Sequence, residues 1–224
     1  NVLTTVHAAN ADHGREVYRF LRHELGAQFI QFIPIVERVT LETLEIEDTG
    51  WSIEHSGRPL YTQQGTQVTH RSVGPEQFGR FMIDVFEEWV RHDVGKVFVM
   101  NFEWALNAWI GNPSPVCIHA KQCGQSIVIE HNGDVYACDH CVYPRYNLGN
   151  ISNGNFFRMV GKSVQSGFGV MKESALPRWC RECEVLAACR GGCPKHRFTQ
   201  TYDNEPGLHY LCAGYKKFFL HIRK

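Results

Sequence analysis

The chain has 224 residues, 43% of them hydrophobic and 21% charged, with 23 basic and 23 acidic side chains and no net charge at pH 7. This is the composition of an ordinary globular protein, long enough for one large domain or two small ones. It excludes a basic nucleic-acid footprint and the ~20-residue apolar run of a membrane helix, and the absence of a secretory leader makes a cytoplasmic location the expectation.

The chain opens on Asn1-Val2-Leu3-Thr4-Thr5-Val6, which reads as a buried strand already under way, and stops at Lys224 within a helical pattern. Both ends therefore read as cut from a longer protein. His13 to Leu25 predicts an amphipathic helix, with Val17, Phe20, Leu21 and Leu25 at helical spacing and Gly26 as its stop. Gln28 to Pro34 predicts a second strand, so that the opening reads as a parallel βαβ unit. Val39 to Val73 is polar and reads as a long excursion of illegible structure. Gly74-Pro75-Glu76 starts a helix whose apolar face is Phe78, Phe81, Met82, Val85, Phe86, Trp89 and Val90. A core-facing stripe is the plain reading of that pattern. Lys96 to Asn101 is then expected as a strand and Phe102 to Ile110 as a short helix. A second region starts near Asn112-Pro113-Ser114-Pro115. Its clearest element is a hairpin, Ile127–Glu130 and Val135–Cys138 around Asn132-Gly133, with both turn residues expected at positive φ.

All nine cysteines lie between Cys117 and Cys212. They run Cys117-x5-Cys123-x14-Cys138-x2-Cys141, then Cys180-x2-Cys183-x5-Cys189-x3-Cys193, then Cys212. An odd count without a leader argues against a disulfide framework. Thiolates are soft donors, and four converging on one point suit zinc or an iron–sulfur cluster. Eight make two such sites with one left over. Spacing alone leaves zinc, clusters and buried free thiols open.

The pattern resembles the SPASM domain of radical SAM peptide-modifying enzymes. Cys123, nine residues, Gly133, four residues and Cys138 match its opening, and Cys180, Cys183, Cys189, Cys193 and Cys212 match the remainder in order. Within that group the chain is most similar to anaerobic sulfatase-maturating enzymes. Asn132 to Asp139, Leu148-Gly149-Asn150-Ile151, Cys189-Arg190-Gly191-Gly192-Cys193-Pro194 and Gln31-Phe32-Ile33-Pro34 carry this likeness. The resemblance implies an α/β fold, with residues 1–111 as the last part of a partial TIM-like barrel and residues 112–224 as an irregular Cys-rich SPASM domain with a β-hairpin.

By the same resemblance, Cys117, Cys123, Cys138 and Cys193 would hold one auxiliary 4Fe-4S cluster. Cys180, Cys183, Cys189 and Cys212 would hold the other, and Cys141 is read as a non-ligand. The intact parent would carry a third 4Fe-4S cluster and S-adenosylmethionine, and would oxidise a Cys or Ser of a sulfatase polypeptide to Cα-formylglycine without oxygen. Asp139 matches the base of that reaction, although capping a turn is its plainer reading. The implied partners are the sulfatase and an electron donor such as flavodoxin or ferredoxin, with no nucleic acid and no membrane. The binding residues for S-adenosylmethionine are not legible.

His119, His131, His140 and His196 lie near the cysteines and are not expected as ligands, because eight thiols fill both sites. Arg190, Lys195 and Arg197 read as a solvated basic loop, with raising a cluster's reduction potential as the other reading. The chain lacks the C-x3-C-x2-C run of the radical SAM cluster, so alone it is expected to be inactive. Two other functions remain: a SPASM maturase of another ribosomal peptide, and a zinc-stabilised binding module without redox chemistry.

Overall fold

The structure is a computed structural model that describes residues 1–45, 64–124, 126–165 and 167–224. Its first part is α/β. Strand β1 (Val2–Val6) leads through helix α1 (Gly14–Arg19) to β2 (Phe29–Pro34), and the two strands pair in parallel from Val2 opposite Ile30 to Val6 opposite Pro34. The expected βαβ unit is present. The helix expected over His13–Leu25 widens into a π-turn at Phe20–Glu24, where the Leu25 N–H bonds the Phe20 carbonyl. Gly26, at φ +62°, ends it.

The long excursion returns as a two-residue ladder, β3 (Arg38–Val39) against β4 (Gln67–Val68). Its middle lies outside the described residues. Helix α2 (Pro75–His92) starts as expected, with Pro75 in its first turn and the Gln77 side chain accepting the Gly74 N–H at 3.2 Å. Phe78, Phe81, Met82, Val85 and Trp89 are buried beneath it, whereas Val90 is exposed.

The strand expected over Lys96–Asn101 is only β5 (Phe98–Val99), since Met100 already begins helix α3 (Met100–Trp109). The physical reason is Asn101. Its side-chain amide accepts the Phe32 N–H at 2.9 Å and donates to the Phe32 carbonyl at 3.0 Å, replacing the backbone of a further strand residue. The sheet order is β1-β2-β5. Val6, Ile30, Phe32 and Val99 point into the main core, while Leu3, Phe29, Ile33 and Phe98 lie exposed.

The cysteine-bearing part is built from short pieces. Strands β6 (Val128–Ile129), β7 (Asp134–Tyr136) and β8 (Asn147–Asn150) form a meander, one strand more than the expected hairpin. The turn also differs from expectation. Gly133 alone has positive φ (+86°), and its N–H bonds the Glu130 carbonyl. The loop is thus a three-residue turn with one left-handed glycine. Helices α4 (Phe156–Gln165), α5 (Met171–Ser174), α6 (Arg178–Arg181) and α7 (Leu186–Cys189) follow, then the pair β9 (Thr199–Gln200) and β10 (Pro206–Leu208).

Helix α8 (Cys212–Ile222) returns to the first part and packs against α2. Tyr215, Phe218, Phe219 and Ile222 join the main core. The crossing is a glycine contact. A Cβ on Gly214 would lie 2.1 Å from the Pro75 carbonyl oxygen, and one on Gly79 would lie 2.8 Å from the Gly214 Cα. Among the described residues no helix is long and apolar enough to cross a membrane.

Candidate metal centre

The cysteines sort into two groups. Cys117 opens a 3-10 turn, Cys123 sits in the loop after it, Cys138 follows β7, and Cys193 comes from the far end of the chain. These four, joined by Cys141, line one cavity of about 350 Å³. Two backbone bonds frame it: Ala137 N–H to the Tyr146 carbonyl, and Cys123 N–H to the Gly169 carbonyl. Cys180 in α6, Cys183, Cys189 at the end of α7 and Cys212 at the start of α8 line a smaller recess of about 20 Å³, beside Trp179 and Lys216.

The chain crosses between the groups at Cys189-Arg190-Gly191-Gly192-Cys193. Arg190, Gly191 and Gly192 are all left-handed, at φ +49°, +68° and +59°. A Cβ on Gly191 would meet Leu176 at 2.3 Å, and one on Gly192 would meet the His209 ring at 2.4 Å. The double glycine therefore answers both to conformation and to space. The carbonyls of this turn converge on Arg197, which the sequence suggests lies on a solvated loop. Instead its guanidinium donates to Gly191 at 2.8 Å, Arg190 at 3.0 Å, Gly192 at 3.3 Å and Lys172 at 2.6 Å.

Burial pushes the thiols of Cys117, Cys123 and Cys180 up, Cys193 and Cys212 up to about 11, and Cys189 up to about 12. Cys138 moves the other way because Cys141 donates a hydrogen bond to it, and Cys141 is raised correspondingly. Metal capture by these groups would release protons.

Asp139 starts the 3-10 turn Asp139–Cys141 and is exposed. Its Oδ1 accepts the His140 N–H at 3.0 Å and lies 3.4 Å from the Cys138 sulfur. It therefore caps a turn and also stands beside the first cavity in reach of solvent. Of the histidines, His140 lines that cavity, with Nδ1 3.4 Å from the Cys193 sulfur. His119 is buried against Tyr215 and Phe219, with Nδ1 3.3 Å from the Cys189 carbonyl oxygen, and burial lowers it to about 4. His131 is exposed at the hairpin turn, and His196 packs on His209.

Several lining residues were not legible in the sequence: Arg38, Tyr143, Arg145, Phe168, Met171 and Lys172. Arg38 and Arg145 sit over the rings of Phe198 and Tyr146, at 4.9 and 4.5 Å. Nothing in the local pattern around Lys172 separates it from a surface lysine.

The donor sets suit an iron–sulfur group. The first lining has five thiols and the second four, and neither has a carboxylate. Among the described residues no group of three or more His, Cys, Asp or Glu could hold a single metal ion; the first set surrounds a volume instead. His209 adds an orphan donor beside the Cys189–Cys193 turn. Its Nδ1 accepts the Leu211 N–H at 3.0 Å, and its buried Nε2 has no partner.

Comparison with known proteins agrees with this chemistry. Residues 117–184 match the SPASM family, described as an iron-sulfur cluster-binding domain. The serine-type anaerobic sulfatase-maturating enzyme of Bacteroides thetaiotaomicron is 42% identical over 99% of this chain and 51% of its own length. The cysteine-type enzyme of Clostridium perfringens strain 13 is 26% identical over 98% of this chain and 53% of its own length. A solved structure described as native anSMEcpe with bound AdoMet and Cp18Cys peptide superposes with a TM-score of 0.77 at 23% identity, covering 99% of this chain and 55% of that one. At that identity the likeness carries the fold alone. The chain spans about half the length of the curated relatives it matches; along nearly all of its residues it is homologous to anaerobic sulfatase-maturating enzymes, and residues 117–184 match the SPASM iron–sulfur cluster-binding domain.

Proposed function

We propose that this chain is the auxiliary-cluster part of an enzyme that oxidises a side chain of a sulfatase polypeptide to Cα-formylglycine without oxygen. In this reading residues 1–111 end a partial barrel and residues 112–224 form the cluster domain. Cys117, Cys123, Cys138 and Cys193 hold one 4Fe-4S cluster, and Cys180, Cys183, Cys189 and Cys212 hold the other. A third 4Fe-4S cluster and S-adenosylmethionine belong to the remainder of the protein, and flavodoxin or ferredoxin supplies electrons. The observation that carries the reading is the separation of nine thiols into a group of five, Cys141 among them, and a group of four that cross in sequence order. Greater identity to the serine-type relative than to the cysteine-type one, 42% against 26%, favours serine as the target.

The bound groups would supply a hydrogen-abstracting radical and a one-electron acceptor. The residues here have two tasks. The thiols hold the acceptor, and Asp139 takes the proton of the substrate hydroxyl or thiol. The hydrogen atom from Cβ, that proton and one electron together make the two-electron oxidation, which gives the aldehyde directly from a serine and, from a cysteine, a thioaldehyde that water hydrolyses with release of sulfide. The exposure of the Asp139 carboxylate and its position beside Cys138 support that role.

Iron, sulfide and zinc content of the protein purified without oxygen tests the cluster reading. This chain should carry about eight irons and eight sulfides, whereas zinc without iron after anaerobic reconstitution would replace it with a structural zinc module. Asp139→Asn in the full-length protein should keep the iron and sharply lower aldehyde formation on a serine-containing sulfatase peptide. Unchanged turnover removes Asp139 from the reaction, and a wild type inert on sulfatase peptides points to another ribosomal peptide as substrate.

A further inference from the structure

The two thiol groups sit in different electrostatic surroundings. Arg38, Arg145, Lys172, Lys195 and Arg197 line the first cavity, and no carboxylate does. Asp139 is the acid beside it, facing Cys138 from an exposed position. The second recess has one cation, Lys216, and its ammonium lies 3.4 Å from Glu184.

Lys172 is the unusual member of the first set. It is 1% exposed, and lysine is almost never buried without a partner for its charge. Its Nζ donates to the Ala120 carbonyl, in the loop between Cys117 and Cys123. That bond uses one of three N–H donors. Among the described residues no carboxylate pairs with it. Among the charged groups that act on it, Arg197 repels it and the sulfurs of Cys117, Cys123, Cys189 and Cys193 attract it. Arg197 holds the Lys172 backbone through its carbonyl at 2.6 Å and is itself fully engaged by the Cys189–Cys193 turn. Among the described residues neither Lys172 nor Arg197 has a carboxylate partner, and both interact with the sulfurs of Cys123, Cys189 and Cys193.

We infer that Lys172, braced by Arg197, is the counter-ion of the anionic group bound by Cys117, Cys123, Cys138 and Cys193, and that it holds that group's reduction potential above that of the second site. The inference rests on the iron–sulfur reading above. Reduction adds negative charge to a cluster that four thiolates already make anionic. A fixed positive charge nearby stabilises the reduced form more than the oxidised one, and the effect weakens with distance. Of the four sulfurs that interact with Lys172, Cys117, Cys123 and Cys193 belong to the first group and Cys189 to the second. The recess of the second group is lined by one cation, the paired Lys216, and Arg197 and Arg181 also act on its Cys180. Lys172 is therefore a positioning and tuning residue for the site that accepts the electron, without touching the substrate.

EPR-monitored redox titration of the cluster-loaded full-length protein tests this, with the first-site signal assigned as the one lost in Cys123→Ala. Lys172→Met removes the charge and keeps most of the stem. It should retain iron, move the first-site midpoint to more negative potential and move the second less. Lys172→Arg should return the midpoint towards wild type. Unmoved midpoints at full iron content, or equal shifts at both sites, overturn the inference and leave the iron–sulfur reading standing. If Lys172→Met loses first-site iron, Lys172→Arg decides. Iron kept in Arg supports a charge requirement, and iron lost in both shows a packing role and overturns the inference. Zinc without iron in the wild-type protein overturns the underlying reading instead.

Discussion

Residues 1–111 and 112–224 bury different kinds of side chain. In the first stretch Tyr18, Phe32, Phe78, Phe81, Met82 and Phe102 pack between a parallel sheet and long helices, the arrangement that burial of apolar surface stabilises directly. In the second, outside helix α8, the buried residues include His119, Lys172, Thr201, His209 and the thiols of Cys138, Cys141 and Cys180. Its small second cluster consists of Cys138, Cys141 and Tyr143, with Tyr146 and Phe168 packed beside them. The difference teaches that the second stretch is short of apolar core and rich in donors. A group bound by the thiols would serve as its core, so that binding and folding there are one free energy.

The largest effect should therefore come from a single sulfur. Cys193→Ala is expected to remove about four irons and to collapse hydrogen-exchange protection across residues 112–211, while the sheet of the first stretch stays protected. Phe81→Ala is its counterpart. Phe81 is fully buried and edge-packed on Phe32 at 5.2 Å, so its loss should cost about 3–5 kcal/mol of stability at unchanged iron per folded molecule. Iron analysis and exchange on both variants check this, and Cys193→Ala with full iron and full protection would break the contrast.

The same contrast decides what was legible in the sequence. Period and punctuation located β1, α1, β2 and α2, because those elements bury one face and solvate the other. They missed the end of β5, since a side chain, Asn101, takes over the ladder there. The hairpin was found from Asn132-Gly133, but its turn class was not, because Asn132 stays at negative φ and uses its side chain on Asp134. In the second stretch cysteine spacing located candidate ligands without fixing any backbone. What it could not reveal are groups recruited across the fold. Arg38 reaches the cavity from β3, Lys172 is buried with its Nζ on the Ala120 carbonyl, and Arg197 is bonded by the carbonyls of the glycine turn. The place of β8 against β7 was equally hidden, since Asn147-Leu148-Gly149-Asn150 carries no strand period.

The joint between the stretches should yield the next largest effect. Gly214→Val forces a side chain into the Pro75 carbonyl where α8 crosses α2, and overpacking of this kind costs about 1–3 kcal/mol. Because α8 begins at Cys212 and ends in the main core, both stretches should lose stability together in one denaturation transition. Gly161→Ala, where an added Cβ meets nothing within 4 Å, is the matched control and should leave that transition in place. Separate transitions in Gly214→Val would show that the crossing does not couple them.

Mild acid should then separate the stretches by a smaller amount. Burial lowers His119 to about 4 and holds His209 well below the ordinary imidazole range, whereas no described histidine before residue 112 is buried. A base with a lowered folded-state value binds more protons when unfolded, so stability falls as pH drops from about 6.5 towards 4. In the first stretch Asp93 lies below the ordinary carboxylate range, with Tyr18 and Arg22 as the hydrogen-bonding partners that hold it there against the opposing effect of burial. Its contribution is lost only below about pH 4. Hydrogen exchange on the iron-loaded protein should show residues 112–211 loosening first over that window, and His209→Phe should flatten the slope. Simultaneous loosening of both stretches would dissolve the contrast.

The smallest effect should be at the fifth thiol of the first cavity. Cys141 is buried beside Cys138 and donates its S–H to it, which favours the thiolate of Cys138 and disfavours its own. A buried thiol beside a ligand can serve as a hydrogen-bond donor to that ligand in place of ligation. Cys141→Ala should therefore leave iron and sulfide content at the wild-type value and change only the ease with which the first site loses iron to a chelator. Cys138→Ala, at the other end of the same C-x2-C, should lose about four irons. Equal losses from both variants would make Cys141 a ligand, and one of the four sulfurs assigned to that cavity would then have to be released from the role.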